Sequence, residues 1–141
     1  MNDDLYQQAI KELARAAHGA GRLPTASASA RLDNPLCGDR IALDVQMDTG
    51  KIMAVGHDTR GCLLCHAAAS WIGQAAPGAT PEQMAGAYAE LLALLTHSHA
   101  APAIRASLLP FSPVREHKSR HGCVLLPFQA LDQALATLQV R

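Results

Sequence analysis

The chain has 141 residues, 49% of them hydrophobic and only 4% aromatic, and its Lys and Arg balance its Asp and Glu to a formal net charge of zero. That length and composition predict a single domain, 1–141, whose core needs no disulfide staples. Without a basic stripe, an acidic tail or an apolar run long enough for a bilayer, neither nucleic acid nor membrane is an expected partner.

Residues 4–17 carry helical periodicity, with Leu5, Ala9, Leu13 and Ala16 or Ala17 on one face and Ile10 nearby. His18-Gly19 should end that helix, glycine suiting the C-terminal cap. The first residues contain two acids and no apolar h-region, so no secretory signal is expected and the cytoplasm is the default compartment. A short strand is predicted for about 27–33, followed by a turn at Asn34-Pro35. From Ile41 to Met47 the residues alternate, with Ile41, Leu43, Val45 and Met47 inward and Ala42, Asp44 and Gln46 outward. Asp48-Thr49-Gly50-Lys51 reads as a hairpin turn, and Ile52–Thr59 as the return strand.

The Ala-rich stretch Cys62–Gln74 reads as a helix that Pro77-Gly78 ends. Thr80-Pro81-Glu82-Gln83 is a helix start, with Thr80 as cap, Pro81 in the first helical position and Gln83 completing a capping box; the helix should reach about Leu95. Leu91, Leu92, Leu94, Leu95 and Trp71 are expected in the core. A shorter helix is predicted for Ala100–Leu108, cut by Pro110 and Pro113. Val114–His121 should be a polar loop, and the last helix should run from about Leu126 to Leu138. The expected fold is therefore α+β: a small three-stranded antiparallel sheet with helices packed on one face.

Four cysteines, Cys37, Cys62, Cys65 and Cys123, fall on this map. In a reducing compartment they point to metal binding or sulfur chemistry rather than disulfides, the competing reading being small buried hydrophobes. Cys37, Cys62 and Cys123 all lie at element junctions. The hairpin should place Asp39 opposite residues 59–60, bringing Cys37, Asp39 and Cys62 to one end of the sheet. A thiolate at a helix N-terminus is favoured by the dipole, and Cys62 and Cys123 are both expected just before helices. Soft sulfur donors with one carboxylate suit zinc or an iron–sulfur cluster.

Asn34-Pro-Leu-Cys-Gly-Asp39, then Gly61-Cys62 leading into an Ala-rich helix, then Cys123 before an amphipathic helix, resemble the three motifs of the U-type iron–sulfur cluster assembly scaffold family, which includes IscU, SufU and the N-terminal part of NifU. The long interval between Cys62 and Cys123 is more similar to the SufU type, with residues 77–110 as the extra segment. The resemblance implies Cys37, Cys62 and Cys123 as cluster or metal ligands. It implies Asp39 as an accessory ligand that keeps the site labile. It also implies a transient cluster of the 2Fe–2S type, zinc in the resting form, a cysteine desulfurase as sulfur donor and apo-proteins as cluster acceptors. Cys37 and Cys123 are the expected sulfur acceptors, being placed on mobile loops. Such a chain is a carrier rather than an enzyme with turnover of its own. A zinc-dependent sulfur relay and a structural zinc module are the alternatives.

Two positions depart from the pattern. Gly122 stands where relatives often carry Lys or His, and His121 is the substitute at hand. Cys65 is additional, and is read as a buried thiol rather than a ligand. His57 and His66 are read as packing or surface residues. His97 and His99 sit near a helix end, where positive charge suits the dipole.

Overall fold

A computed structural model describes residues 7–96 and 103–139. Helix α1 spans Gln8–Ala16, strands β1, β2 and β3 span Ala28–Asn34, Asp39–Asp48 and Lys51–Arg60, and helices α2 and α3 span Leu63–Ala75 and Pro81–Thr96. Two 3-10 stretches, Ala106–Glu116 and Lys118–Arg120, lead into helix α4, His121–Gln139. The strands form one antiparallel sheet in the order β1-β2-β3, as the alternation predicts. Helix α4 packs on β1 and β2, α2 packs on β3 and on α4, and α1 packs on α2.

The core lies between the sheet and these helices. Leu43, Val45 and Ile52 from the sheet meet Leu64, Ile72 and Phe128 from the helices, all fully or almost fully buried. Burying one such side chain is worth about 1.5–3 kcal/mol. Trp71 is in the core as expected, its ring 5.4 Å from that of Phe128. Leu92 is not: it is 42% exposed, whereas Leu91, Leu94 and Leu95 are buried.

The N-terminal helix buries a different face from the predicted one. Ile10 is fully buried, with Leu13 and Ala14 packed beside it, while Ala9 and Ala16 face solvent; Leu5 lies outside the described residues. The left-handed cap falls on Ala17 (φ 48°), whose N–H bonds to Leu13 O, so the helix ends before Gly19. Glycine is needed elsewhere at this contact. A Cβ at Gly73 would overlap the His18 carbonyl, which lets α2 pass directly against the chain leaving α1.

The outer face of β2 is covered where polar exposure was expected. Asp44 is 2% exposed, under the segment that follows α1, and Ala42 is buried as well. The segment 19–21 also satisfies the edge of β3, through Gly21 N–H to His57 O at 2.7 Å and His57 N–H to Gly19 O at 3.0 Å.

The capping box of α3 forms as read: Thr80 N–H donates to Gln83 Oε1 at 2.9 Å, and Gln83 N–H to Thr80 Oγ1 at 3.1 Å. The segment after α3 differs from its reading. Ala100–Pro102, along with His97 and His99, lie outside the described residues. Pro110 and Pro113 do not terminate a helix; they lie inside the 3-10 stretch Ala106–Glu116. Proline removes the donors an α-helix would need, while Leu108, Phe111 and Val114, spaced by three, are all buried. Three residues per turn is the 3-10 period, so the apolar spacing selects that helix. The predicted loop Val114–His121 is consequently 3-10 structure and the start of α4. Helix α4 begins five residues before the predicted Leu126 and runs through Pro127. Cys123 and Val124 are fully buried in its first turns, and that burial outweighs the N–H that Pro127 cannot donate to the Cys123 carbonyl.

Candidate metal centre

The site sits at the end of the sheet where the β1–β2 hairpin turns. β1 ends at Asn34, paired with Asp39, leaving Pro35-Leu36-Cys37-Gly38 as the connection. Asn34 holds this turn with both its oxygens. Its Oδ1 accepts from Leu36 N–H at 3.1 Å, and its carbonyl accepts from Gly38 N–H at 2.8 Å and Cys37 N–H at 3.3 Å. Gly38 takes a left-handed φ of +77°, which a side chain would strain. The turn leaves Cys37 exposed at its tip.

Asp39 lies at the start of β2 and is 2% exposed. Its Oδ1 accepts from the Cys62 N–H at 3.0 Å, and its Oδ2 is 3.7 Å from Cys62 Sγ. The register brings it there. A β-bulge between Gln46 and Met47 shifts the β2–β3 pairing by one residue, so Arg40 faces Arg60 and Asp39 lies one step further on, across from Gly61 rather than from 59–60. A Cβ at Gly61 would overlap the Asp39 carboxylate, so glycine makes the space that the carboxylate fills.

Cys62 is the N-cap of α2, half-buried and in extended geometry (φ −75°, ψ 170°), with no side-chain cap bond. Cys123 does not precede its helix. It is the third residue of α4, fully buried, and its Sγ lies 3.4 Å from Cys37 Sγ. The ligand atoms of Cys37, Asp39 and Cys123 all lie within 4.8 Å of one another, the one such group of metal-binding side chains among the described residues. Cys62 joins this group through Asp39. The three cysteines read from the sequence therefore converge on the carboxylate of the fourth residue, Asp39.

The electrostatics follow from that convergence. Burial pushes the Asp39 carboxyl up, but hydrogen bonds from the Cys37 and Cys123 thiols and from the Cys62 N–H and thiol outweigh it, leaving its pKa below the ordinary value. Burial, then the Asp39 carboxylate and the Cys37 thiol, push the Cys123 thiol up. The thiol protons of the site are directed at the Asp39 carboxylate. Three soft sulfur donors and one harder oxygen fit zinc or iron. A metal's charge would take over from those protons and favour the thiolates.

Other sequence candidates stand apart. Cys65 is fully buried, one turn into α2, and burial pushes its thiol up. His121 points a ring nitrogen at Arg115 O, 3.1 Å away. A Cβ at Gly122 would come within 2.5 Å of Asn34 Nδ2, so the amide that shapes the Cys37 turn lies against this glycine. His57 is buried, donating from Nε2 to His18 O at 2.9 Å and accepting from Thr59 Oγ1 at 2.9 Å; burial holds its pKa down. The network around Asp44 was not foreseen. Its carboxylate accepts from Arg22 Nε and Nη2, both at 2.7 Å, from Ser29 Oγ at 2.6 Å and from Leu23 N–H at 3.0 Å. An acid between apolar neighbours in a strand was the only signal for it.

Comparison with known proteins agrees with this architecture. Residues 5–96, a span that includes Cys37, Asp39 and Cys62, match the family described as NifU-like N terminal domain. The chain is 30% identical over 135 residues to the iron–sulfur cluster assembly scaffold protein IscU of Streptococcus pyogenes serotype M1, covering 93% of this chain and 82% of that protein. Among solved structures, the N-terminal NifU-like protein from Brucella abortus superposes with a TM-score of 0.89 at 28% identity, covering 97% of this chain and 96% of that one. SufU from Fervidobacterium islandicum AW-1, a putative scaffold for the SUF system, shares the fold at a TM-score of 0.86 and 21% identity, covering 93% and 96%. Among the described residues no helix is long and apolar enough to cross a membrane.

Proposed function

The chain belongs to the NifU-like N-terminal domain family, and from that premise we propose that it is an iron–sulfur cluster assembly scaffold that carries a nascent cluster, of the 2Fe–2S type, as cargo on Cys37, Cys62, Cys123 and Asp39. The observation that supports this reading is the convergence of three separated cysteines on one buried carboxylate, with Cys37 exposed at the edge. A site that only supports a fold is closed on all sides; this one has an open side.

In this reading the sulfur comes from a cysteine desulfurase in the cytoplasm. A thiolate of this chain attacks the outer sulfur of the donor's persulfide, forming a new S–S bond while the donor thiolate leaves. Cys37 is the favoured acceptor because it is exposed on a turn. Cys123, also expected from its supposed loop position, is buried in a helix and is reached only after Cys37. In air the same donors hold zinc. Asp39, the hardest donor of the set, is the ligand that lets go most easily when apo-protein acceptors take the cluster.

Anaerobic reconstitution with ferrous iron, cysteine and a desulfurase, followed by visible absorption and intact mass, tests the reading. Cluster absorption that is lost in Cys37→Ser supports a scaffold. Sulfur uptake without a cluster indicates a sulfur relay instead. Neither signal, with a desulfurase shown to be active, leaves a structural zinc site and ends the proposal.

A further inference from the structure

Cys65 has no part in the reading above, yet its place is specific. Cys62 is the N-cap of α2 and Cys65 its third helical residue. Positions three apart at a helix start fall on one side of the first turn, and a helical side chain such as that of Cys65 leans back towards the N-terminus. Cys62 makes no cap bond and is half-exposed towards the cluster of donors, while Cys65 is sealed in the core behind it. An accessible cysteine at a helix N-terminus, followed three residues later by a buried one, is the arrangement of a dithiol–disulfide pair.

We propose that Cys62 and Cys65 form a redox pair that reduces sulfane sulfur arriving at the site to sulfide. The inference rests on the sulfur-acceptor reading and adds the source of the electrons. The Cys62 thiolate takes the outer sulfur from the Cys37 persulfide, Cys37 leaving as a thiolate, and Cys65 Sγ then attacks the inner sulfur of the new persulfide, Cys62 Sγ. The Cys62–Cys65 S–S bond forms, the bond to the outer sulfur breaks, and that sulfur leaves as hydrosulfide and takes up the proton Cys65 gives up. The sulfane sulfur gains two electrons and the two thiols lose two. An external dithiol reductant then returns the disulfide to thiols. Burial keeps Cys65 from outside oxidants, so the sulfur on Cys62 is the one it meets.

The test uses the whole metal-free chain, without oxygen, with glutathione persulfide as the probe, so that no desulfurase is needed. Trypsin leaves Cys62 and Cys65 on one peptide, 61–105, with Cys37 and Cys123 on two others, because no Lys or Arg lies between 61 and 105. The expected result is about one sulfide released per chain before any reductant is added, with peptide 61–105 two hydrogens lighter and the other two cysteines free. Cys65→Ala should instead retain the sulfur as a stable adduct and release none; Cys65→Ser should match it, guarding against a packing effect of either variant. If the wild-type chain keeps the sulfur with Cys65 free, or the disulfide joins Cys37 to Cys123, the pair is overturned while the acceptor reading stands. If the chain takes up no sulfur at all, both fall.

Discussion

Asp39 faces Gly61 across the β2–β3 pair, and its carboxylate occupies the space where a side chain at Gly61 would begin. The buried acid and the residue before the second cysteine are thus one packing unit. Gly61→Ala should push the carboxylate out and break its bond to Cys62 N–H. Displacing an oriented ligand costs roughly 10- to 100-fold in metal affinity, to be measured by competition with a chromophoric chelator. Gly86→Ala, whose added Cβ meets only the end of Arg105, is the control and should bind as the wild type. Equal affinity in both would show that Asp39 does not hold metal.

Cys65 should be dispensable for metal. Cys65→Ser is expected to keep about one zinc per chain, and Cys62→Ser to lose it, because a four-coordinate site is complete with Cys37, Asp39, Cys62 and Cys123. Metal content of protein purified in air, read by mass spectrometry, checks both. Loss of zinc in both variants would make Cys62–Cys65 the centre of the ligand set.

Asp44 should govern acid stability. Hydrogen bonding to Arg22 pulls its pKa down to about 2, well below the ordinary carboxylate range, against the opposing effect of burial. A carboxyl whose folded pKa lies below its unfolded one stabilises the fold above the unfolded value. That contribution drains away as pH falls from about 4 to about 2. Asp44→Asn removes the ion pair with Arg22, whose guanidinium is open to water, and should lower stability at neutral pH. Its stability should also be flatter than that of the wild type across that acid window, as followed by urea unfolding at several pH values. Parallel curves would remove Asp44 from the account.

Gly73→Ala should loosen the α1–α2 contact. The added Cβ meets the His18 carbonyl, which accepts from His57. Overpacking of this kind costs about 1–3 kcal/mol. The loss should appear in thermal unfolding, with exchange of the His57 ring proton speeding up in NMR. An unchanged melting temperature would mean that the backbone yields at no cost.

Much of the architecture was written in short-range patterns. Alternation from Ile41 to Met47 fits one half-buried surface, the Thr80–Gln83 box starts a helix by local hydrogen bonds, and Asn34–Asp39 closes a turn within its own residues. Motif resemblance and expected junction placement singled out the three cysteines and Asp39, and the fold brings them to one end of the sheet even though Cys123 lies inside a helix. Even the 3-10 stretch was open to reading, in the spacing of Leu108, Phe111 and Val114, although its prolines suggested a break. What only the tertiary structure decided are the relations that need two distant segments at once. The bulge at Gln46/Met47 depends on pairing between strands, and it moves Asp39 by one residue to Gly61. Asp44 is buried because Arg22, far off in the chain, is free to cover and neutralise it. Cys123 is buried inside a helix because the sheet supplies the surface on which α4 lies, and a local count of helix formers and breakers has no knowledge of that surface.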